Sequence, residues 1–592
     1  GAAAQRGIQQ AFEATGKSFA PEAWRATREQ LDGWTHRWRQ AREQACDASA
    51  LRTGEGARRL ERRLTCLDRR LDEFSTLTGA LASADADLVA RASAAAAGLS
   101  DLSACSETRS LSSAREALPP AQQAVFKELD AHLARARGLN GAGKTRQAIE
   151  EIEPALASAK ALGFQPALID PELALGRFTD TAHQFAKSKE AYTQAAQAAQ
   201  ASGNDEQLAA ALVEMVNVVG SGLAHEDEAL TLASLARGTF QRLGGSASLE
   251  RQLLHTLGDV DWRVGKNEQA IQSLRSAMAV EVSASSAEDM EASHIHYDLG
   301  WVLMEAGRLD EAEQEENRAL SLKAAVVGEK NPSLSSIWNA LGSIAAEKGD
   351  DAQAVQRFEK ALELRESAAD PNHPNLVAPL SNLGQELIMA GQSARALPYI
   401  ERARSILAAQ TETSETDTSQ VEEYRALALR KLGRPAEALA SSEHALARME
   451  HAMPKDAVAL VSPLREKALD LVDLGRCAEA LGLFERALAI AAKDSQPFVG
   501  ELSAETASAL LCLERWEEAR VKLEKAVPLL DKKSRRAVLA EAQLRMAEAL
   551  WHTPAEKERA LEFARQAAGL EGVAGGEQVR EQARAWLTRH AP

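Results

Sequence analysis

The residues best arranged for chemistry are GLNGAGKT, Gly138 to Thr145, which satisfy G-x-x-x-x-G-K-[ST] at every required position. In that pattern backbone N–H groups cradle phosphates, the lysine reaches them, and the Ser/Thr hydroxyl holds a magnesium ion. No G-x-S-x-G and no H-E-x-x-H occur, so the common hydrolase arrangements are missing. His294 and His296 stand two apart, as do Asp259 and Asp261. On a helix each such pair points to different faces and does not easily chelate one ion. The cysteines Cys46, Cys66, Cys105, Cys477 and Cys512 form no C-x-x-C pair, and no histidine lies at zinc-like spacing from them. No metal site and no cofactor are therefore expected. A disulfide among Cys46, Cys66 and Cys105, which needs an oxidising compartment, and buried free thiols both stand open.

A chain of 592 residues must hold these groups on several domains or on one long array. Aromatic residues are only 4% and alanine is abundant, which suits close helix-on-helix packing better than a β-rich core. No run approaches the roughly 20 apolar residues that span a bilayer, and no signal peptide is visible. The opening Gly-Ala-Ala-Ala lacks an initiator Met and reads as the edge of a cut piece. Net charge is −17, so nucleic acid is not an expected partner, because phosphate binding needs a basic surface. Residues 1–118 hold 17 Lys/Arg and 16 Asp/Glu, leaving 52 against 70 for the remainder. A near-neutral head is joined to an acidic scaffold.

That scaffold repeats. An alanine near the start of a helix recurs at Ala148, Ala191, Ala229, Ala270, Ala312, Ala354, Ala396, Ala438, Ala480, Ala519 and Ala560, with five consecutive steps of 42 residues. Seven residues after it comes a second alanine: Ala277, Ala319, Ala361, Ala403, Ala445, Ala487 and Ala526. Leu-Gly pairs precede it by twelve to thirteen residues at Gly258, Gly300, Gly342 and Gly384. Five residues before it stands a glycine: Gly265, Gly307, Gly349, Gly391, Gly433 and Gly475. The first glycine lets two helices approach, the second ends a helix in a left-handed conformation, and the alanines form a thin packing stripe. The second repeat, near Ala191, and the tenth, near Ala519, lack the Leu-Gly pair in this phase.

The spacing resembles the tetratricopeptide repeat family. Trp338, Leu341, Gly342, Ala354, Phe358 and Ala361 match its signature nearly completely. The 42-residue period, with Asn331-Pro332 and His373-Pro374 opening hairpins, is similar to its longer kinesin-light-chain variety. The resemblance implies an all-α, right-handed superhelical solenoid of about eleven helical hairpins over residues 119–576, closed by a capping helix at 577–592 and preceded by a helical head at 1–118. It also implies a concave groove lined by first helices. By phase that groove offers His255, Asp259, Trp262 and Arg263, then His294, Tyr297, Trp301, Met304 and Glu305, then Asn339, Ser343 and Glu347, and Gln385. Trp262, Tyr297 and Trp301 are either partner anchors or packing residues between repeats. The asparagine slot of the carboxylate-clamp pattern holds Asp259, Trp301, Ser343 and Gln385, which speaks against recognition of a C-terminal EEVD-type carboxylate.

Phase also decides the phosphate-loop pattern. A working loop follows a buried strand and opens a helix, whereas AQQAVFKELDAHLARAR upstream has Val125, Leu129 and Leu133 at helical spacing. Gly143 stands five residues before Ala148, in the slot of the six helix-ending glycines, and Thr145 takes the slot of Asn267, Asp351 and Ser393, read as N-caps. GLNGAGKT reads as a hairpin turn, and a nucleotide-dependent regulator is the minor alternative.

The head reads as helices over 21–48, 56–77 and 86–99, with Leu60, Leu64, Leu67, Leu71 and Phe74 forming one seam and Leu31, Trp34 and Trp38 another. WTHRWRQAREQACDA, TCLDRRLDEF and SACSE, carrying Trp34, Trp38, Cys46, Cys66 and Cys105, resemble the segment between membrane span and repeats in bacterial eukaryote-like serine/threonine protein kinases. No kinase motif is present in the chain itself. The resemblance implies a non-catalytic sensor or docking region, with protein or peptide partners, a membrane only through an upstream span, and an extracytoplasmic location. A cytoplasmic adaptor is the alternative.

Overall fold

The computed structural model describes residues 2–47, 55–102, 105, 119–281, 286–368, 370–410, 414–494, 499–530, 536–569 and 577–590. All regular structure among them is helical, as an alanine-rich, aromatic-poor sequence with a 3.6-residue apolar period requires. By internal packing the chain forms two units. One comprises Gly1–Leu341 with Leu364–Ala368, and the other Gly342–Glu363 with Ala369–Pro592.

From Pro120 onward helices follow in tightly packed pairs joined by short turns, such as Ala247–Arg263 with Asn267–Ala279 and Ser286–Glu305 with Leu309–Val327. The turn glycines adopt the expected positive φ: +74° at Gly143, +77° at Gly265, +74° at Gly307 and +78° at Gly349. Ala270, Ala312, Ala396, Ala438 and Ala480 are fully buried, as are Ala277, Ala319, Ala403 and Ala487 seven residues on. At these positions a larger side chain overpacks the crossing, at about 1–3 kcal/mol. The Leu-Gly glycines receive a side chain from the paired helix sixteen residues later. A Cβ on Gly258 would meet Leu274 Cγ at 2.6 Å, one on Gly384 would meet Ile400 Cγ1 at 2.7 Å, and one on Gly342 would meet Phe358 Cδ1 at 2.9 Å.

Two details differ from the sequence reading. The second repeat does contain the pair, as Leu175-Gly176, and its phase residue is Ser188 rather than Ala191. Ser188 Oγ donates to the Gly176 carbonyl at 2.8 Å and Tyr192 packs on Gly176. Thr145 is the first helical residue, not the N-cap. Lys144 caps without a side-chain bond, and the Thr145 hydroxyl donates to Asn140 Oδ1 at 3.0 Å. The left-handed glycine leaves a single non-helical residue, Lys144, before the helix, which shifts the cap back by one. Gly138–Gly141 end the helix Pro120–Gly141, so a helix, not a strand, feeds the turn. Thr76 covers Gly138, and the Arg91 guanidinium lies against Gly143.

The head begins with a helix the periodicity did not reveal, Ala2–Ala14, followed by Ala20–Asp47, Glu55–Leu81 and Ala86–Ala97. Asp85 caps the last of these, accepting from Leu88 N at 2.8 Å. Trp34 stacks on Phe74 with ring centroids 4.7 Å apart, and Trp38 Nε1 donates to the Leu67 carbonyl at 2.8 Å. Cys66 and Cys105 are joined by a disulfide. The Cys46 side chain and residues 103–104 and 106–118 lie outside the described residues. Glu55–Leu81 packs on the first helix of the repeats, while Ala94 and Ala97 pack beside Val326, Val327, Leu334 and Leu364. Asn331 Nδ2 donates to the Ala90 carbonyl at 2.9 Å, and Glu329 N donates to Glu22 Oε1 at 2.7 Å. Within the first unit the head therefore ties the first hairpin to the fifth.

In the second unit Cys477 and Cys512 form a disulfide that the sequence reading did not weigh. Arg430 bridges Glu466 Oε2 at 2.6 Å and the fully buried Asp470 at 2.9 Å. The last helix, Glu577–His590, buries Val579, Ala583 and Trp586, and Trp586 meets Trp551 edge-on at 5.4 Å. Among the described residues no helix is long and apolar enough to cross a membrane.

Candidate functional site

All candidate groove residues of the first unit except Asn339 lie on two neighbouring first helices. Ala247–Arg263 carries His255, Asp259, Trp262 and Arg263, and Ser286–Glu305 carries His294, Tyr297, Trp301, Met304 and Glu305. Residues three and four apart share a helix face, so His255, Asp259 and Trp262 rise along one side of the first helix. The second helix presents Glu291, Asp298 and Glu305 to that side.

The structure brings His255 between two carboxylates. Its Nδ1 lies 3.0 Å from Glu291 Oε1 and its Nε2 2.7 Å from Asp298 Oδ2. The ring is 17% exposed. Burial disfavours the imidazolium, but the two carboxylates outweigh it and raise the pKa to about 10. Burial, then the neighbouring Asp298 carboxylate, push Asp259 up to about 6 against the pull of His255 and Arg263. One donor atom each of His255, Asp259 and Asp298 lie within 4.8 Å of one another. The sequence reading missed Asp298 and Glu291. The i, i+4 pair His255 and Asp259 was legible, but the partners sit 36 and 43 residues on, across a helix–helix interface.

The aromatic residues divide by role. Trp262 is half-buried and its Nε1 donates to Glu305 Oε2 at 2.8 Å. Tyr297 and Trp301 meet edge-on at 6.4 Å, and Tyr297 also packs beside Ala319, Ile337 and Leu341. Among the described residues no ring contact joins Trp262 to that pair. Tyr297 thus serves packing at least in part, while Trp262 and Trp301 keep open surface. His294 is exposed, Met304 half-buried and Glu305 exposed.

Asn339 stands half-buried on Ser335–Glu347 at the end of the first unit. In the second unit Ser343 is half-buried, Glu347 is exposed, and Gln385 accepts from the Tyr424 hydroxyl at 2.8 Å.

One further group went unread. Glu316 packs on Gly300, where neighbouring repeats place Leu274, Phe358 and Ile400. It is fully buried, and neither carboxylate oxygen has a hydrogen-bond partner among the described residues. Burial, then the charges of Asp298 and Glu315, raise its pKa to about 9, so it is neutral at pH 7.

Comparison with known proteins agrees with the pairwise helical pattern. Two family models described as tetratricopeptide repeat match, one over residues 333–409 and 417–493, the other over 255–327 and 465–537. Similar solved structures include a kinesin light chain with nearly identical TPR-like repeats, described as putative, from Podosopora anserina (20% identity, 34% of this chain, 97% of that one, TM-score 0.31). BtubC (BKLC) from P. vanneervenii is 21% identical over 38% of this chain and 91% of its own, with TM-score 0.34. The apo form of the quorum sensor NprR from B. thuringiensis is 16% identical over 59% of this chain and 98% of its own, with TM-score 0.42. No curated protein matches the chain.

Proposed function

We propose that this chain, whose residues 255–327, 333–409 and 417–537 carry tetratricopeptide repeats, is a non-catalytic scaffold that binds a protein or peptide along the first helices of its fourth and fifth hairpins. The observation carrying this reading is the open surface of Trp262 and Trp301 beside Asp259, Asp298 and Glu305 on adjacent helices of one unit. Aromatic residues supply the desolvated anchor of an interface, and the carboxylates select charge. The favoured partner is an extended or helical peptide offering Lys or Arg next to an apolar residue. GLNGAGKT is read as the turn of the first hairpin, because the helix Pro120–Gly141 rather than a strand feeds it.

The finer reading makes the chain the sensor or docking region of a bacterial transmembrane serine/threonine kinase, on the extracytoplasmic side. Its support is the head pattern of Trp34, Trp38, Cys46, Cys66 and Cys105, with Cys66 and Cys105 bridged as an oxidising compartment would allow. Selection of the purified chain against a displayed peptide library tests the binding role. Enrichment of basic, apolar-containing peptides is expected, and a selection yielding no family of sequences refutes it. Reading the coding sequence upstream of Gly1 tests the kinase role: a kinase domain and one membrane span are expected, and their absence ends that reading.

A further inference from the structure

His255 and Asp259 lie one turn apart, and Asp298 faces them from the adjoining first helix, where His255 also pairs the two hairpins through Glu291 and Asp298. Leu253, Leu257 and Val260 bury the other side of the same helix. We propose that His255, Asp259 and Asp298 form a site for a divalent cation of the zinc type, with Glu291 as the carboxylate that orients the histidine.

Three observations carry it. The first is separation: one donor atom from each residue lies within 4.8 Å of the other two. Ligands on a tetrahedral ion with bonds near 2.0–2.2 Å stand about 3.4 Å apart, so side-chain rotation closes the site without moving a helix. The second is orientation. Glu291 Oε1 holds Nδ1 of His255 at 3.0 Å and leaves Nε2 facing Asp298 at 2.7 Å. A carboxylate on the far nitrogen is the usual way a metal-binding histidine is fixed in its tautomer. The third is unbalanced charge. Three carboxylates, Glu291, Asp259 and Asp298, surround one imidazole, with the charges of Arg263 near Asp259 and Arg251 near Glu291 offsetting part of the excess, and Asp259 makes no hydrogen bond among the described residues. A proton on Nε2 brings one positive charge to that pocket; a dication brings two and gives Asp259 a partner.

The donor set fixes the class of ion. Calcium and magnesium take six or more oxygens, whereas one imidazole nitrogen with two carboxylates suits zinc and its first-row neighbours. On binding, the Nε2 proton leaves to solvent and its lone pair forms the N–metal bond. Three protein ligands would leave a fourth position for water or a partner's side chain.

Calorimetric titration of the full chain, freed of metal by chelator and dialysis, with ZnCl2 tests the site. One saturable site of micromolar Kd is expected. His255→Gln and Asp259→Asn each weaken it at least tenfold, and Glu291→Gln weakens it about tenfold. Circular dichroism confirms that each variant stays folded, and a Co2+ absorption band that is present in the parent and lost in His255→Gln reports imidazole ligation. Absence of a saturable site in the parent overturns the proposal. So does zinc binding that His255→Gln and Asp259→Asn leave unchanged, since it would belong to other acidic or thiol groups.

Discussion

Glu316 offers a perturbation whose size follows from the structure. Its carboxyl fills a slot that leucine, isoleucine and phenylalanine fill in neighbouring repeats, fully buried and without hydrogen bonds among the described residues. The folded-state pKa of about 9 lies above the ordinary carboxyl value of 4.5. A raised pKa means that the group's contribution to stability is whole below about pH 4.5, declines as the unfolded chain ionises, and is lost as pH passes the folded value. At about 1.4 kcal/mol per unit, roughly 3 kcal/mol is lost by pH 7 and about 5 by pH 8. Glu316→Leu removes the titration and two unpaired oxygens, so it stabilises the hairpin by about 3 kcal/mol or more at pH 7 and by much less near pH 5. Glu316→Gln removes the slope but keeps the unpaired polar atoms. Repeat arrays unfold locally, so the assay is hydrogen exchange by mass spectrometry on peptides within Ser286–Val327, corrected for intrinsic rates, at pH 5.5 and 8. The parent's opening free energy falls by about 3 kcal/mol between the two, and the leucine variant's does not. Equal protection of the parent at both pH values, or a leucine variant that opens more readily, refutes the reasoning.

Other perturbations follow from the same geometry. Arg430→Met strands the fully buried Asp470 and leaves Glu466 with Arg465 alone, which costs about 3–5 kcal/mol and lowers the urea midpoint of the second unit. Gly307→Ala meets nothing within 4 Å, so its cost of about 1 kcal/mol is that of φ +74° alone. Gly300→Ala, inside a helix and without positive φ, instead drives a Cβ into Glu316 Cγ at 2.8 Å and lowers the melting temperature through that clash. Lys144→Ala leaves equilibrium dialysis with ATP unchanged from the parent, and ATP retention that depends on Lys144 would restore GLNGAGKT as a phosphate loop.

Repetition made the hairpins legible, because a glycine at positive φ and a fully buried alanine admit few substitutes. The second repeat slipped because its helix, Phe185–Ala201, is rich in small residues. Ala191 and Ala198 imitate the packing stripe to which Ala195 belongs, while the true phase residue, Ser188, is polar in type, buried and bonded to Gly176. The first head helix was missed because AAAQRGIQQAFEA shows only Ile8 and Phe12 as a stripe. Of the candidate site, the helix faces were readable and the pairing across helices was not. Which carboxylates of the adjoining helix meet His255 depends on the register of stacked hairpins, which no local pattern encodes. The contact from Asn331 to Ala90 spans 241 residues and leaves no signal at either end.

The most direct test of the scaffold reading is the affinity of a library-selected peptide for the parent and for the Trp262→Ala/Trp301→Ala double variant, by fluorescence anisotropy. Tyr297 is left in place because it also packs the fifth hairpin. Anchor residues of this kind contribute about 2 kcal/mol or more each. The account predicts a loss of at least thirtyfold, with circular dichroism and melting temperature held. Unchanged affinity in a folded double variant would place the partner elsewhere on the repeats and contradict the account.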